Sequence, residues 1–449
     1  MARAYSTPVG RESAADAFMV CRWVAVMPAA NQPDPMMSYL WFLRDNWRFV
    51  GFGFIMSASS SFGQTFYIAL SGADIRAEFG LTHGGFGSWF AVATIVSAAT
   101  LVWLGRMIDR VDLRWYTIAA CSGLILSMLV IAAAPTIAIL VVGLYLARLT
   151  GQGLMIHISN TSMGRYFDAD RGKAVSVAAM GQSLGEAVLP AIVVVLIVQI
   201  GWRGAWFAAA AVVAGALAVL VPWLMRGYGE RHRTHLERVE RRPSQSKVSG
   251  AQWTRGEVLR DRRFYVVVAA VLSFSFIGTG LFFHQVHIAN VKGWPLELLA
   301  SAFVLFAVLK VVTSLAVGTL IDRFGSVALL PVMLAPLAAT LIAIAVSDAA
   351  IVPFVYLGFL GVGVGVLMPV MGSLWPELYG VVHLGAIRAM MAALLVLSSA
   401  MSPAVFGLLL DAGVSIETIS LFCLVYVAAS GGIAAWTFRG YSRSVDRQP

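Results

Sequence analysis

The chain has 449 residues, of which 59% are hydrophobic and only 12% charged, and its formal net charge is +9. Soluble domains carry about 25% charged residues, so a soluble globular fold, which must cover a surface of this size with polar groups, is excluded. The basic residues sit in short loops between apolar runs, which speaks for orientation in a membrane and against nucleic acid as a partner.

In chain order, residues 1–46 come first and read as an N-terminal cytoplasmic segment. The apolar run from Ala17 to Val26 is short and broken by Arg22, so it lacks the uninterrupted core of a signal peptide. Met36 and Met37 stand just before a plausible start, and residues 1–35 read either as a mis-assigned start or as a tail. A helix needs about 20 apolar residues to cross ~30 Å of hydrocarbon. Runs of that kind predict spans near 47–71, 86–104, 115–134, 137–163, 172–199 and 203–225, which make a first bundle over 47–225. A polar, arginine-rich stretch, 226–263, reads as a cytoplasmic linker whose last part, Trp253 to Arg263, suits an amphipathic helix on the membrane surface. Spans near 264–289, 298–321, 327–346, 350–375, 386–410 and 415–438 make a second bundle over 264–438, and 439–449 is a cytoplasmic tail. The runs are continuously apolar, without alternation, so they predict helices rather than a barrel.

With both ends placed inside, Arg76, Arg203 and Lys292 are the loop cations left outside; the other loop cations collect on the cytoplasmic side. Loop arginines outnumber lysines, which suits a bacterial inner membrane. Cys21, Cys121 and Cys423 are far apart and show no metal-ligand spacing.

The two halves repeat at an offset near 213. Gly105-Arg-Met-Ile-Asp109-Arg110 follows the second span, and Gly318-Thr-Leu-Ile-Asp322-Arg323 follows the eighth. Pro190 matches Pro403, Gly80-Leu-Thr matches Gly293-Trp-Pro, and Gly151-Gln-Gly153 matches Gly363-Val-Gly365 one residue out of step. Repeats of this kind let two bundles rock about a site between them.

The Gly-x-x-x-Asp-Arg pattern resembles the cytoplasmic loop motif of the major facilitator superfamily. Arg148 with Gly151 and Gly153 is similar to that family's helix-four motif. Gly181, Gly185 and Pro190 resemble its helix-five glycine–proline pattern, from which the acid at Glu186 departs. The resemblance runs over 47–438. It implies an all-α membrane protein of twelve transmembrane helices in two pseudo-symmetric six-helix bundles, working as a monomeric secondary transporter without a cofactor. It also implies an inner gate in which the loop acid caps a helix of the opposite half. Asp109 and Arg110 would then meet the start of span eleven near Arg388. Asp322 and Arg323 would meet the start of span five near Arg171. A weaker resemblance points to the monocarboxylate and oxalate/formate carriers. Their helix-eight arginine position is Ser314 here, and the cation, Lys310, lies one turn earlier.

Ionisable groups at membrane depth are costly and become functional candidates by default. Arg148 and Glu186 fall within about a turn of each other in depth, counted at ~1.5 Å per residue, so a buried pair between them is expected. It is either static or coupled to substrate and protons. Lys310 lies well inside span eight without a visible partner and suits an anionic group or a proton, with snorkelling as the rival. His284 and His287 lie on one face of span seven. Aligning Ile68-Ala69 with Ile288-Ala289 sets Gln64 and Tyr67 opposite them, and these four are expected to line the outward half of a central cavity. His157 reads as a packing group, and no third ligand suggests a metal site.

The functional expectation is a secondary transporter of a small organic anion such as a monocarboxylate, working by alternating access and coupled to protons. Arg148, Lys310 and the histidines outnumber Glu186 in the interior and favour an anion. A proton-coupled exporter of amphipathic compounds is the alternative, and a transporter-like receptor or sensor is the alternative from another class. An enzyme is disfavoured, because no catalytic constellation or phosphate-binding loop stands out. The partners expected are a small-molecule substrate, protons and the lipid bilayer.

Overall fold

The computed structural model describes residues 35–167, 170–241 and 252–439, and among these it contains helices and turns but no strand. Residues 1–34 lie outside the described residues, whereas Met36 and Met37 fall at the start of the first described helix. The chain divides into a short unit ending at Trp47 and a large unit from Arg48 onward. The first helix, Pro35–Ser59, begins in the short unit and ends in the large one.

Among the described residues ten helices are long and apolar enough to cross a membrane. One of them, Arg171–Leu224, is two spans run together: Gly201 adopts φ 72° and ψ 167°, a left-handed backbone that breaks the helix between the expected fifth and sixth spans. With that division and with the interrupted first span, the helices are consistent with twelve crossings. Short polar residues start the spans by accepting backbone N–H bonds that no helical carbonyl can reach. Thr82 caps span two (His83–Met107), Asp112 span three (Leu113–Ala133) and Thr136 span four, which starts at Ile137. Asp261 caps span seven (Arg262–Phe283), and Ser415 caps span twelve (Ile416–Thr437).

The linker differs from expectation. Tyr228–Arg241 is helical, whereas Trp253 to Arg263 holds only the short helix Arg255–Val258. Thr254 and Glu257 form a capping box at its start. Asp261 then caps span seven, so two successive helix starts leave no room for one surface helix.

Spans one and seven are both discontinuous, at matching places. The first runs to Ser59, tightens into a 3-10 turn over Ser60–Gly63, becomes extended at Gln64 (φ −80°, ψ 153°) and resumes as Thr65–Leu70. The seventh stops at Phe283, turns at His284 (φ −95°, ψ 12°) and resumes as Gln285–Val291. The alignment that pairs Ile68 with Ile288 also pairs Gln64 with His284, so the internal repeat extends to the breaks themselves. A broken helix exposes carbonyls that lipid cannot satisfy, and here protein donors supply the bonds. Arg148 Nη1 donates to Gly63 O at 3.1 Å, and Gln285 Nε2 donates to Phe66 O at 2.7 Å.

On the face opposite the basic loops, each half ties its three loops together with one charged cluster. In the first half Arg203 pairs with Glu78 at 2.6 Å and donates to the carbonyls of Ala132 and Ala134, also at 2.6 Å. In the second half Lys292 pairs with Asp348 at 2.5 Å and with Glu417 at 2.6 Å. One sequence spacing separates Glu78 from Lys292, Ala134 from Asp348 and Arg203 from Glu417. The clamps are therefore repeat counterparts with their charges exchanged.

Candidate functional site

Glycine contacts place the central ion pair. A side chain at Gly181 would collide with Phe54 O, and one at Gly185 with the Ser61 hydroxyl, so span five lies directly on the backbone of span one. This fixes Glu186 on the face turned toward span eight. On the other side, a Cβ at Gly365 would lie 2.6 Å from Lys310 O, so span ten (Val352–Tyr379) holds span eight (Leu296–Phe324) at the level of Lys310. Lys310 Nζ then reaches Glu186 Oε2 at 2.5 Å, and Gln182 Nε2 donates to the other carboxylate oxygen at 2.9 Å. The side chains are 16% and 8% exposed, and Lys310 Nζ sits 5.9 Å from the Phe306 ring centroid. The pair joins the two halves at mid-depth. Removing one partner of such a pair leaves a buried charge, which costs ~3–5 kcal/mol.

The expected partnership of Arg148 with Glu186 is therefore corrected. Arg148 is buried and bonded instead to Thr94 Oγ1 at 3.2 Å, Gly63 O at 3.1 Å and Thr65 Oγ1 at 3.4 Å. Its guanidinium lies 5.0 Å from the Phe90 ring centroid. The physical reason is the break in span one: the freed Gly63 carbonyl needs a donor, and a forked guanidinium supplies several at once. The chain around Arg148 becomes π-helical over Arg148–Met155, and a Cβ at Gly151 would lie 2.7 Å from Gly63 Cα, so the two glycines let the break seat against span four. All of these bonds lie within the first half, so Arg148 does not join Lys310 across the central pair.

Nor do the four residues expected on one cavity surface share one. Tyr67 is buried against Phe62 and Trp206, each with ring centroids 5.0 Å away, inside the first half. Gln64 is half-buried at the break. His284 is buried and donates from Nε2 to Pro403 O at 3.1 Å. His287 faces His83, ring centroids 4.3 Å apart. A helical repeat gives the depth of a side chain but not the neighbour its face meets once the helix breaks. His157 packs against span two, with Nε2 2.9 Å from Gly105 O. Among the described residues no group of three His, Cys, Asp or Glu is placed to hold a metal.

The gating residues stand apart from the partners expected for them. Asp109 pairs with Arg165 of its own half, and Arg388 Nη2 donates to Gly372 O at 2.7 Å within the second half. Arg171 lies beside Gly164, also in its own half. Arg110, Asp322 and Arg323 are exposed. The halves meet instead at mid-depth and toward the opposite face, where Asp411, at the end of span eleven (Leu384–Asp411), accepts from the His83 and Gly84 N–H groups at 3.0 and 2.8 Å. This is the physics expected of the inner gate, a carboxylate on a helix N-terminus, carried by a residue the motifs did not mark. Gln285 was missed as well; its position between two histidines in an apolar span was the available signal.

Two helical bundles, discontinuous first and seventh spans and a buried ion pair between the halves fit a secondary membrane transporter. The sequence matches the family model of the Major Facilitator Superfamily over residues 53–359. The chain belongs to that superfamily. No curated protein sequence matches it. A similar solved structure is that of a bacterial homologue of the human lysosomal transporter Spinster, in an inward-facing and occupied conformation. It has a TM-score of 0.65 and 13% identity and covers 91% of this chain and 98% of that one, a likeness of fold.

Proposed function

We propose that this transporter moves a small organic anion in company with protons, and that Glu186 and Lys310 are the coupling pair. The observation that carries the reading is their 2.5 Å contact across the two halves, a charged link that a substrate carboxylate can compete for directly. Lys310 offers one ammonium and Glu186 occupies it in the empty protein. An incoming carboxylate takes the ammonium, and Glu186 is left without its cation in a desolvated place, where an uncompensated charge is costly. Because the pair bridges spans five and eight, exchanging its partners alters what holds the halves together, as alternating access requires. Arg148 supports the site from behind by fixing the broken end of span one.

The basic-loop face is read as cytoplasmic, in a bacterial inner membrane. On that orientation, contacts on the opposite face and the exposed Asp109, Asp322 and Arg388 support an inward-open reading.

Uptake of small carboxylates into proteoliposomes, with and without an inward proton gradient, tests the reading. The expected result is gradient-driven accumulation in the native protein, exchange without gradient dependence in Glu186→Gln, and loss of carboxylate uptake in Lys310→Gln. Normal carboxylate transport by Lys310→Gln overturns it. One observation favours a second reading: Phe306 beneath Lys310 belongs to a ring cluster with Phe282 and Phe303, at centroid distances of 5.4 to 6.1 Å. Apolar rings packed beside the pair suit an amphipathic solute. Proton-driven efflux of hydrophobic cations that survives Lys310→Gln would establish that reading instead.

A further inference from the structure

The face on which the halves are closed is built from two kinds of contact side by side. The first is close glycine packing. A Cβ at Gly87 would collide with Pro403 O, one at Gly407 with the His83 carbonyl, and one at Gly84 would lie 2.8 Å from Leu408 Cδ2. Asp411 fastens the same seam through the His83 and Gly84 N–H groups. The second is a histidine cluster around a shallow recess lined by Arg76, His83, His284 and His287 among apolar residues. His83 belongs to the first half, His284 and His287 to the second. Ring centroids lie 4.3 Å apart for His83 and His287, and 5.8 Å apart for His83 and His284.

The charged groups facing these imidazoles among the described residues are Arg76 and Asp411. Arg76 is held in place by its Nε bond to Gly72 O at 3.2 Å. Asp411 is already engaged by two backbone donors and by the Thr82 hydroxyl. With neutral imidazoles the cluster is balanced, one cation against one carboxylate. A proton on His83 or His287 adds a second positive charge beside Arg76, and a second proton sets two imidazolium rings in contact across the seam. Like charges this close, partly withdrawn from water, repel strongly. Separating the halves relieves the repulsion, because Arg76 and His83 leave with one half and His284 and His287 with the other.

We infer that His83, His284 and His287 form a proton-binding site on this seam, and that occupying it opens the seam. His83 and His287 are half-buried and open to the recess, so they take the protons; His284, buried and committed to Pro403 O, completes the repulsive wall. The site is separate from the central pair, and its protons enter and leave on the seam face alone. It therefore sets how readily that face opens without carrying charge across the membrane. An imidazole whose pKa differs by one unit between closed and open forms changes the ratio of the two about tenfold.

The test uses full-length protein in lipid nanodiscs, with spin labels at the exposed loop positions Pro135 and Ala349 of a cysteine-free background. Between pH 8 and pH 5 the label-to-label distance distribution is expected to shift toward longer distances, about tenfold in open-to-closed ratio for one such imidazole. The shift should persist in Glu186→Gln, which separates it from protonation of the central pair, and should vanish in His83→Gln/His287→Gln. Absence of the shift in the native protein, its loss in Glu186→Gln, or its survival in the double histidine variant overturns the inference. If the double variant does not fold, Arg76→Gln decides: removing the neighbouring cation should move the midpoint to higher pH, and an unmoved midpoint counts against the site.

Discussion

The two halves share a plan but fill it with different chemistry. In the first half a buried cation, Arg148, satisfies the broken end of span one, and Gly63 and Gly151 bring the backbones together. The corresponding stretch of span ten carries Gly361 and Gly365, which pack against the backbone of span eight, and Gly363, which packs against the Phe274 ring of span seven, and it holds no cation. The loop clamps differ in sign: the first half reaches outward from an arginine on the fifth-to-sixth connection, the second from a buried lysine on the seventh-to-eighth. Position in the fold is therefore what the repeat keeps. The charge at a position is free to change so long as its partner changes too.

The largest expected effect breaks the asymmetry in span four. Arg148→Met leaves the Gly63 carbonyl without its donor, at about 1–3 kcal/mol per unsatisfied buried group, and frees two threonine hydroxyls as well. Thermal unfolding in detergent should show a loss of ~3 kcal/mol or more in total, since such a network counts beyond its single bonds. In span ten, Gly361→Ala forces a methyl group against the Phe306 backbone, an overpacking worth about 1–3 kcal/mol. Equal losses in the two variants would show that Arg148 acts by packing alone.

Next come the clamps. The Lys292 side chain is 3% exposed, and removing it leaves Asp348 and Glu417 close together without a cation. Lys292→Met should cost no more than ~3 kcal/mol, the low end for breaking a buried pair. Glu78 is 43% exposed, and Glu78→Gln should cost no more than ~1 kcal/mol, as exposed ion pairs do. The exchanged double variant Glu78→Lys/Arg203→Glu sharpens the point: it should recover part of what the two single variants lose, a coupling of about 0.5–1 kcal/mol in a double-mutant cycle.

The smallest effect is the pH dependence of the clamps, and it has opposite signs in the two halves. The hydrogen bond from Arg203 holds the Glu78 carboxyl below its usual range, against a smaller opposing effect of burial. Its stabilisation is present above the unfolded pKa of ~4.3 and is lost as pH falls through the folded value. For Lys292, burial works to lower the pKa, but the bonds to Asp348 and Glu417 outweigh it and the pKa is raised. Its stabilisation is complete below the unfolded pKa of ~10.4 and is lost as pH rises through the folded value. Unfolding followed across pH should therefore show Glu78→Gln flattening the acid limb and Lys292→Met the alkaline limb. The reverse assignment would sink the account.

By itself the sequence determined the class of protein. The lack of charge, the recurrent apolar runs and the doubled Gly-x-x-x-Asp-Arg loops all report the solvent each residue meets, and that information is local in the chain. It also placed Arg148, Glu186 and Lys310 at depth, because rise per residue is fixed in a helix. Only the tertiary structure decided who meets whom. Glu186 faces Lys310 rather than Arg148 because Gly181 and Gly185 seat span five on span one, and because the break at Gln64 claims the guanidinium first. The seam joins Asp411 to His83, 328 positions away, and the exchanged clamps join residues 56 to 125 positions apart. Helical periodicity fixes the face a side chain occupies on its own axis. The rotation of that axis toward a neighbour is set by the close packing of all the others.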